Sequence, residues 1–193
     1  MDIRVELDER GLIPDRFAKH ADAKYLYANT PTRSFPIEIV DIPNEAKSIA
    51  LTFFDYDSIP VCGFAWIHWA VCGIDAGEAK DGVLKLPEDA SNRQSLGMVQ
   101  GRNSSASRLF GGSTDPLLTC RYNGPQPPDK THVYTLRAYA LDFAPQLEEG
   151  FWLNELMAAM RGRIIARAEK NLPARASAKA TVETVERVGG ALG

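Results

Sequence analysis

Residues 122–136 read YNGPQPPDKTHVYTL, and the chain runs on as RAYALD to residue 142. Three prolines and a glycine fall within Gly124–Pro128. Proline fixes φ and lowers the entropy of the unfolded chain, so this is a stiff connection. From Thr131 to Asp142 apolar and polar residues alternate, the period of a half-buried strand. His132 and Tyr134 stand two apart at its start, so the stiff loop delivers two polar rings to one face.

Other stretches read as strands too. FPIEIVDIP (35–43) alternates and ends at a proline, and SIALTFFDYD (48–57) is rich in β-formers and ends in acids. GFAWIHWAVCGI (63–74) is an apolar, aromatic run of the kind found in a buried strand. Pro, Gly, Asn and Asp clusters separate them, the usual chemistry of turns. Residues 75–120 hold the Gly- and Ser-rich SLGMVQGRNSSASRLFGGSTDP, which has no clear period and reads as long loops. Leu153, Leu156, Met157 and Met160 recur at helical spacing, with Gly162 as a stop. RIIARAE after it fits either a short strand or a resumed helix. From Ala174 the Ala-rich ARASAKATVETVERVGGALG reads as a loosely attached tail or surface helix, giving a domain over 1–173 and a tail over 174–193. Strands first and a helix late predict a mostly-β domain with an appended helix rather than βαβ units.

The totals narrow the function. The chain has 193 residues, 45% hydrophobic and 24% charged, which suits one ordinary globular domain. A net charge of −3, with no basic cluster among aromatics, speaks against nucleic acid as a partner. Cys62, Cys72 and Cys120 are odd in number and lack metal-type spacing, so neither a disulfide framework nor a cysteine metal site is expected. The acidic start MDIRVELDERGLIP has no apolar core of a secretory signal, and no apolar run nears the ~18 residues of a membrane span. The expectation is a cytoplasmic protein without a membrane span.

Three pairs of residues could carry chemistry. Asp55 and Asp57 close one strand, Trp66 and His68 lie in the most apolar one, and His132 and Tyr134 follow the proline loop. Each has a plain structural explanation: turn formers, a buried histidine bonded to backbone, core aromatics, a rigid connector. Their coincidence at strand ends is what suggests one site.

Together these motifs resemble the phosphatidylethanolamine-binding protein family, also called Raf kinase inhibitor proteins, and most of all its bacterial YbhB/YbcL-type branch. DYDSIP (55–60) is similar to the family's D-P-D-x-P element, WIHWAV (66–71) to its tryptophan–histidine strand, and GPQPPDKTHVY (124–134) to its proline loop and H-x-Y. MVQGRN (98–103), YALD (139–142) and MAAMRGRIIARAE (157–169) resemble further family segments. Four positions depart: Tyr56 for the proline, an extra Ile59, Gln126 for the branch cysteine and Arg163 for the branch histidine. The stretch 103–120 is also longer than the family's.

The resemblance implies an antiparallel β-sandwich with Greek-key character and a C-terminal helix. It implies a non-catalytic protein with a small anion pocket, binding phosphate or a phospholipid headgroup, without a cofactor. It also implies a kinase or other signalling protein as a partner, and a homodimer, as is common in the branch. The ligand-binding residues would be Asp55, Asp57, Trp66, His68, Gly124, Pro125, His132 and Tyr134. Gly124 would let backbone approach a ligand. The rings would donate hydrogen bonds, and anion affinity would rise as the histidines protonate; at least one aspartate would stand behind an imidazole, the other arrangement being a carboxylate that receives the ammonium of an ethanolamine headgroup. Two other readings stay open. One is a protein–protein interaction module with a vestigial pocket. The other is a metal-dependent hydrolase using the two histidines and two aspartates, for which H-x-H, H-E-x-x-H and C-x-x-C spacings are missing.

Overall fold

In the computed structural model, residues 1–110 and 112–176 are described. Ten strands run in chain order: β1 Asp2–Arg4, β2 Leu26–Tyr27, β3 Thr30–Pro31, β4 Ile37–Val40, β5 Ser48–Asp55, β6 Trp66–Asp75, β7 Val83–Leu86, β8 Val99–Gln100, β9 His132–Leu141 and β10 Ile164–Ala174. A five-stranded sheet has the order β10-β9-β5-β6-β8, a three-stranded sheet the order β1-β4-β7, and β2 and β3 form a small hairpin. Every pairing is antiparallel. Within the large sheet β9 returns beside β5, so β5, β6, β8 and β9 stand in Greek-key order, with β7 leaving for the other sheet on the way.

The alternation of β5 explains the layering. Ile49, Leu51 and Phe53 face inward and meet Ile37, Leu84 and other residues of the small sheet across the main core. Ala50 faces outward into a second cluster with Ala70, Cys72, Tyr139 and Leu141. Helix α4 (Leu153–Ala159) covers that cluster with Leu156. The three shorter helices are α1 (Ile59–Cys62), α2 (Ala90–Arg93) and α3 (Pro116–Thr119). All described cysteines are unpaired. Among the described residues no helix is long and apolar enough to cross a membrane.

The structure adds three details to the sequence reading. The stretch 75–120 is not loop throughout: β7, β8 and single helical turns punctuate it. These strands are too short to show a period. RIIARAE is strand, because Gly162 turns left-handed (φ 72) and the chain then pairs with β9 from Ile164 opposite Leu141. The helix is therefore followed by an edge strand. That strand runs past the expected domain boundary: Ala174 is fully buried opposite His132, and Arg175 lies 2.6 Å from Asp15. The tail expected over the remaining 177–193 lies outside the described residues.

Candidate functional site

The end of β5 is where the site begins. Asp55 is the strand's last residue, and the chain turns at once into α1. The Ser58 hydroxyl donates to the Asp55 carbonyl at 2.7 Å and accepts the Trp66 N–H at 2.9 Å, so one small side chain ties β5 to β6. Asp55 Oδ1 accepts the Ser58 N–H at 3.1 Å. Asp57 lies beyond the strand and does not share Asp55's role. Its Oδ2 accepts the Val133 N–H at 2.8 Å, which clamps the turn to β9.

On β6 a bulge aims the histidine. Asp55 pairs with Trp66 and Phe54 with Ile67, but Phe53 pairs with Trp69, so His68 is the extra residue. Strict alternation from Trp69 would turn His68 outward; the bulge turns it in. Its ring packs 5.0 Å from Tyr134 and 5.7 Å from Phe53. Its Nδ1 donates to the Asn123 carbonyl at 2.6 Å, since a carbonyl can only accept.

The proline loop is pinned from three sides. Asn123 N–H donates to the His68 carbonyl, Gly124 N–H to Pro31, and Lys19 Nζ to Pro127. A Cβ on Gly124 would lie 2.5 Å from the Phe17 carbonyl oxygen and 2.7 Å from Pro31 Cβ. The missing side chain thus serves the loop's contact with its own chain.

The loop delivers His132 and Tyr134, both fully buried. Each ring nitrogen of His132 meets a carboxylate: Nδ1 with Asp55 Oδ2 at 2.7 Å and Nε2 with Asp129 Oδ1 at 2.9 Å. Two acceptors on one ring require two N–H donors, hence the imidazolium. Burial opposes that charge, but the bonds to Asp55 and Asp129 outweigh it and raise the pKa. His68 goes the other way. Burial lowers its pKa to about 4, against a weaker upward pull from the Asn123 carbonyl and Asp55. The expectation that both histidines titrate near neutrality is therefore corrected: His68 stays neutral, and with its Nδ1 proton on Asn123 its Nε2 is an acceptor. Burial, and after it the Asp55 carboxylate, raise the Tyr134 pKa, so the phenol keeps its proton.

These groups wall one cleft of about 340 Å³. Of the eight residues expected at a site, Asp55, Trp66, His68, Gly124, His132 and Tyr134 line it; Asp57 and Pro125 do not. The lining also includes Ser58, Ser105, Asn123 and Gln126, and Thr30 from the β2–β3 hairpin. Asn123 and Gln126 adjoin the legible motif, whereas nothing in the sequence points to Thr30, which folding alone brings close. Two departures from the family pattern face elsewhere. Tyr56 stacks on Phe54 and its hydroxyl accepts from Arg137 at 2.9 Å, and Ile59 is half exposed on α1. Among the described residues no group of three His, Cys, Asp or Glu side chains could hold a metal ion.

Comparison with known proteins bears on the family and the fold. The sequence profile of the family described as "Phosphatidylethanolamine-binding protein" matches residues 5–173. The chain is 47% identical over 175 residues to the uncharacterized protein YxkA of Bacillus subtilis, covering 91% of this chain and 99% of YxkA. It is 32% identical over 162 residues to a UPF0098 protein of Methanothermobacter thermautotrophicus, covering 84% and 89%. A phosphatidylethanolamine-binding protein homologue from Chlamydia trachomatis superposes with a TM-score of 0.66 at 29% identity, covering 89% of this chain and 95% of that one. Escherichia coli YbcL gives a TM-score of 0.66 at 23% identity, covering 90% and 97%, a likeness of fold.

Proposed function

The chain belongs to the phosphatidylethanolamine-binding protein family, a family of binding proteins, and from that premise we propose that its cleft seats a small anionic group, a phosphate or a phospholipid headgroup, on His132. What supports the reading is a single contact. The Asp129 carboxylate, half exposed at the end of the proline loop, already rests an anionic oxygen on His132 Nε2 at 2.9 Å. A ligand oxygen would take the same place once Asp129 swings out. Asp55 would stay behind the ring and hold its charge. Ser105 can add a donor: its Oγ accepts from Asn123 Nδ2 at 2.6 Å, which leaves its own proton to give. Trp66, stacked on Phe64 with centroids 5.8 Å apart, offers an apolar wall for the rest of a headgroup.

Holding these groups in place before the ligand arrives lowers the ordering cost of binding. Calorimetric titration with inorganic phosphate and with phosphoethanolamine tests the reading. His132→Ala should abolish binding of both, and Tyr134→Phe should weaken it, in protein that remains folded. Equal binding by His132→Ala would place the ligand elsewhere.

A further inference from the structure

Loop 103–108 has the cleft on one side and a second concavity on the other. Trp66 and Ser105 face the cleft. Their neighbours Ile67 and Ser104 line a trough of about 440 Å³ with Phe64, Ala65 and Trp152, a wall made mostly of carbon. The trough shares Ala106, Arg108 and Trp152 with a basin of about 420 Å³ that also holds Arg102, Ser113 and Thr114.

The basin is lined by two arginines, Arg102 and Arg108. Arg10, Arg33, Arg121, Arg137, Arg163 and Arg175 each lie against a carboxylate, as suits a chain of net charge −3. Among the described residues neither Arg102 nor Arg108 forms such an ion pair. The nearby Asp115 carboxylate is engaged elsewhere, accepting from Leu117 N–H at 2.9 Å and from the Tyr27 hydroxyl at 2.7 Å. Arg102 is steadied over the Trp152 ring, its guanidinium carbon 5.0 Å from the centroid. Ser113 Oγ accepts the Asp115 N–H at 3.1 Å, so its own proton remains to give. Two guanidinium groups and a hydroxyl in one basin are oxyanion chemistry. Beside them the half-exposed indole of Trp152 and the carbon-walled trough ask for an apolar group.

We propose that the joined basin and trough form a second binding site, separate from the His132 cleft, for a small amphiphilic anion: an alkyl or aryl chain ending in a phosphate, sulfate or carboxylate. The head sits between Arg102 and Arg108, and the chain lies along Trp152, Ile67 and Phe64.

The test titrates octyl phosphate, below its micelle concentration, into the full chain carrying Trp66→Phe. The remaining exposed indole is Trp152, because Trp69 is only 1% exposed. The expected result is a saturable change in Trp152 emission. Arg102→Gln and Arg108→Gln should each weaken it about tenfold or more, the loss of one charge-assisted contact. Arg108 is exposed, so its replacement does not threaten the fold. Inorganic phosphate, read by the same Trp152 signal, should bind this site at least about tenfold more weakly, since it leaves the trough empty. Adding His132→Gln should leave the octyl phosphate response unchanged. No saturable response, arginine variants that bind like the parent, or inorganic phosphate binding as tightly would each overturn the proposal. Loss of the response on His132→Gln in folded protein would also overturn it, by placing the ligand in the cleft.

Discussion

His132 carries a carboxylate on each ring nitrogen, and the two acids do different work. Asp55 is buried behind the ring, while Asp129 reaches it from a loop with half its side chain in water. Removing Asp129 frees the Nε2 proton without disturbing Asp55, so Asp129→Ala should tighten phosphate binding about tenfold, by removing a competing charge-assisted bond. Titration calorimetry checks it; unchanged or weaker binding would mean that Asp129 does not compete with the ligand. The His132 and Tyr134 motif is legible in the sequence because two residues two apart on a strand must share a face. The role of Asp129 is not, since a lone aspartate after prolines reads as a turn former. Nor is the split between Asp55 and Asp57: period two holds only while the strand lasts, and it ends at Asp55.

At the scale of elements, the proline loop and the β6 bulge set the site. Gly124→Ala would press a methyl group into the Phe17 carbonyl and Pro31. It should cost about 1–3 kcal/mol in denaturant unfolding, as overpacking does, and weaken phosphate binding by moving the loop. A variant as stable as the parent would show that the loop is not tightly seated. Helix α4 lies on the far face of the sheet, where Leu156 is fully buried. Leu156→Ala should cost about 2–5 kcal/mol of stability and leave phosphate affinity in the cleft intact. Strands β5, β6 and β9 and helix α4 were readable from their own composition and spacing; β10, the longest strand, was not, because RIIARAE fits strand and helix alike. The bulge at His68 was not, because it is a mismatch between two strands and neither carries it alone.

For the whole molecule, the buried histidines give stability a pH profile. His68 has a folded pKa near 4 against an ordinary value of 6.5, so between these values the unfolded chain binds more protons. Stability should therefore fall on acidification through that window, by on the order of 3 kcal/mol from this residue. His132 has the opposite sign. Its folded pKa is raised, so its contribution is fully present below 6.5 and is lost as pH rises through the folded value. Urea unfolding of His68→Gln from pH 6.5 to 4 should show a shallower acid loss than the parent; parallel curves would mean that His68 is charged in the folded state. Loss of the His132 charge should likewise weaken anion binding on the alkaline side, with no gain from His68 at mildly acid pH. The sandwich and its family were legible from the run of motifs between residues 49 and 169. The convergence of Thr30, Ser105 and Asn123 on one cleft was not, since it depends on how distant loops meet. The most direct measurement of the central claim is the ¹⁵N imidazole spectrum of His132 at neutral pH during a phosphate titration. A saturable shift centred on Nε2, with Nδ1 still protonated toward Asp55, is the predicted result. An Nε2 signal that stays on Asp129 while calorimetry records bound phosphate would contradict it.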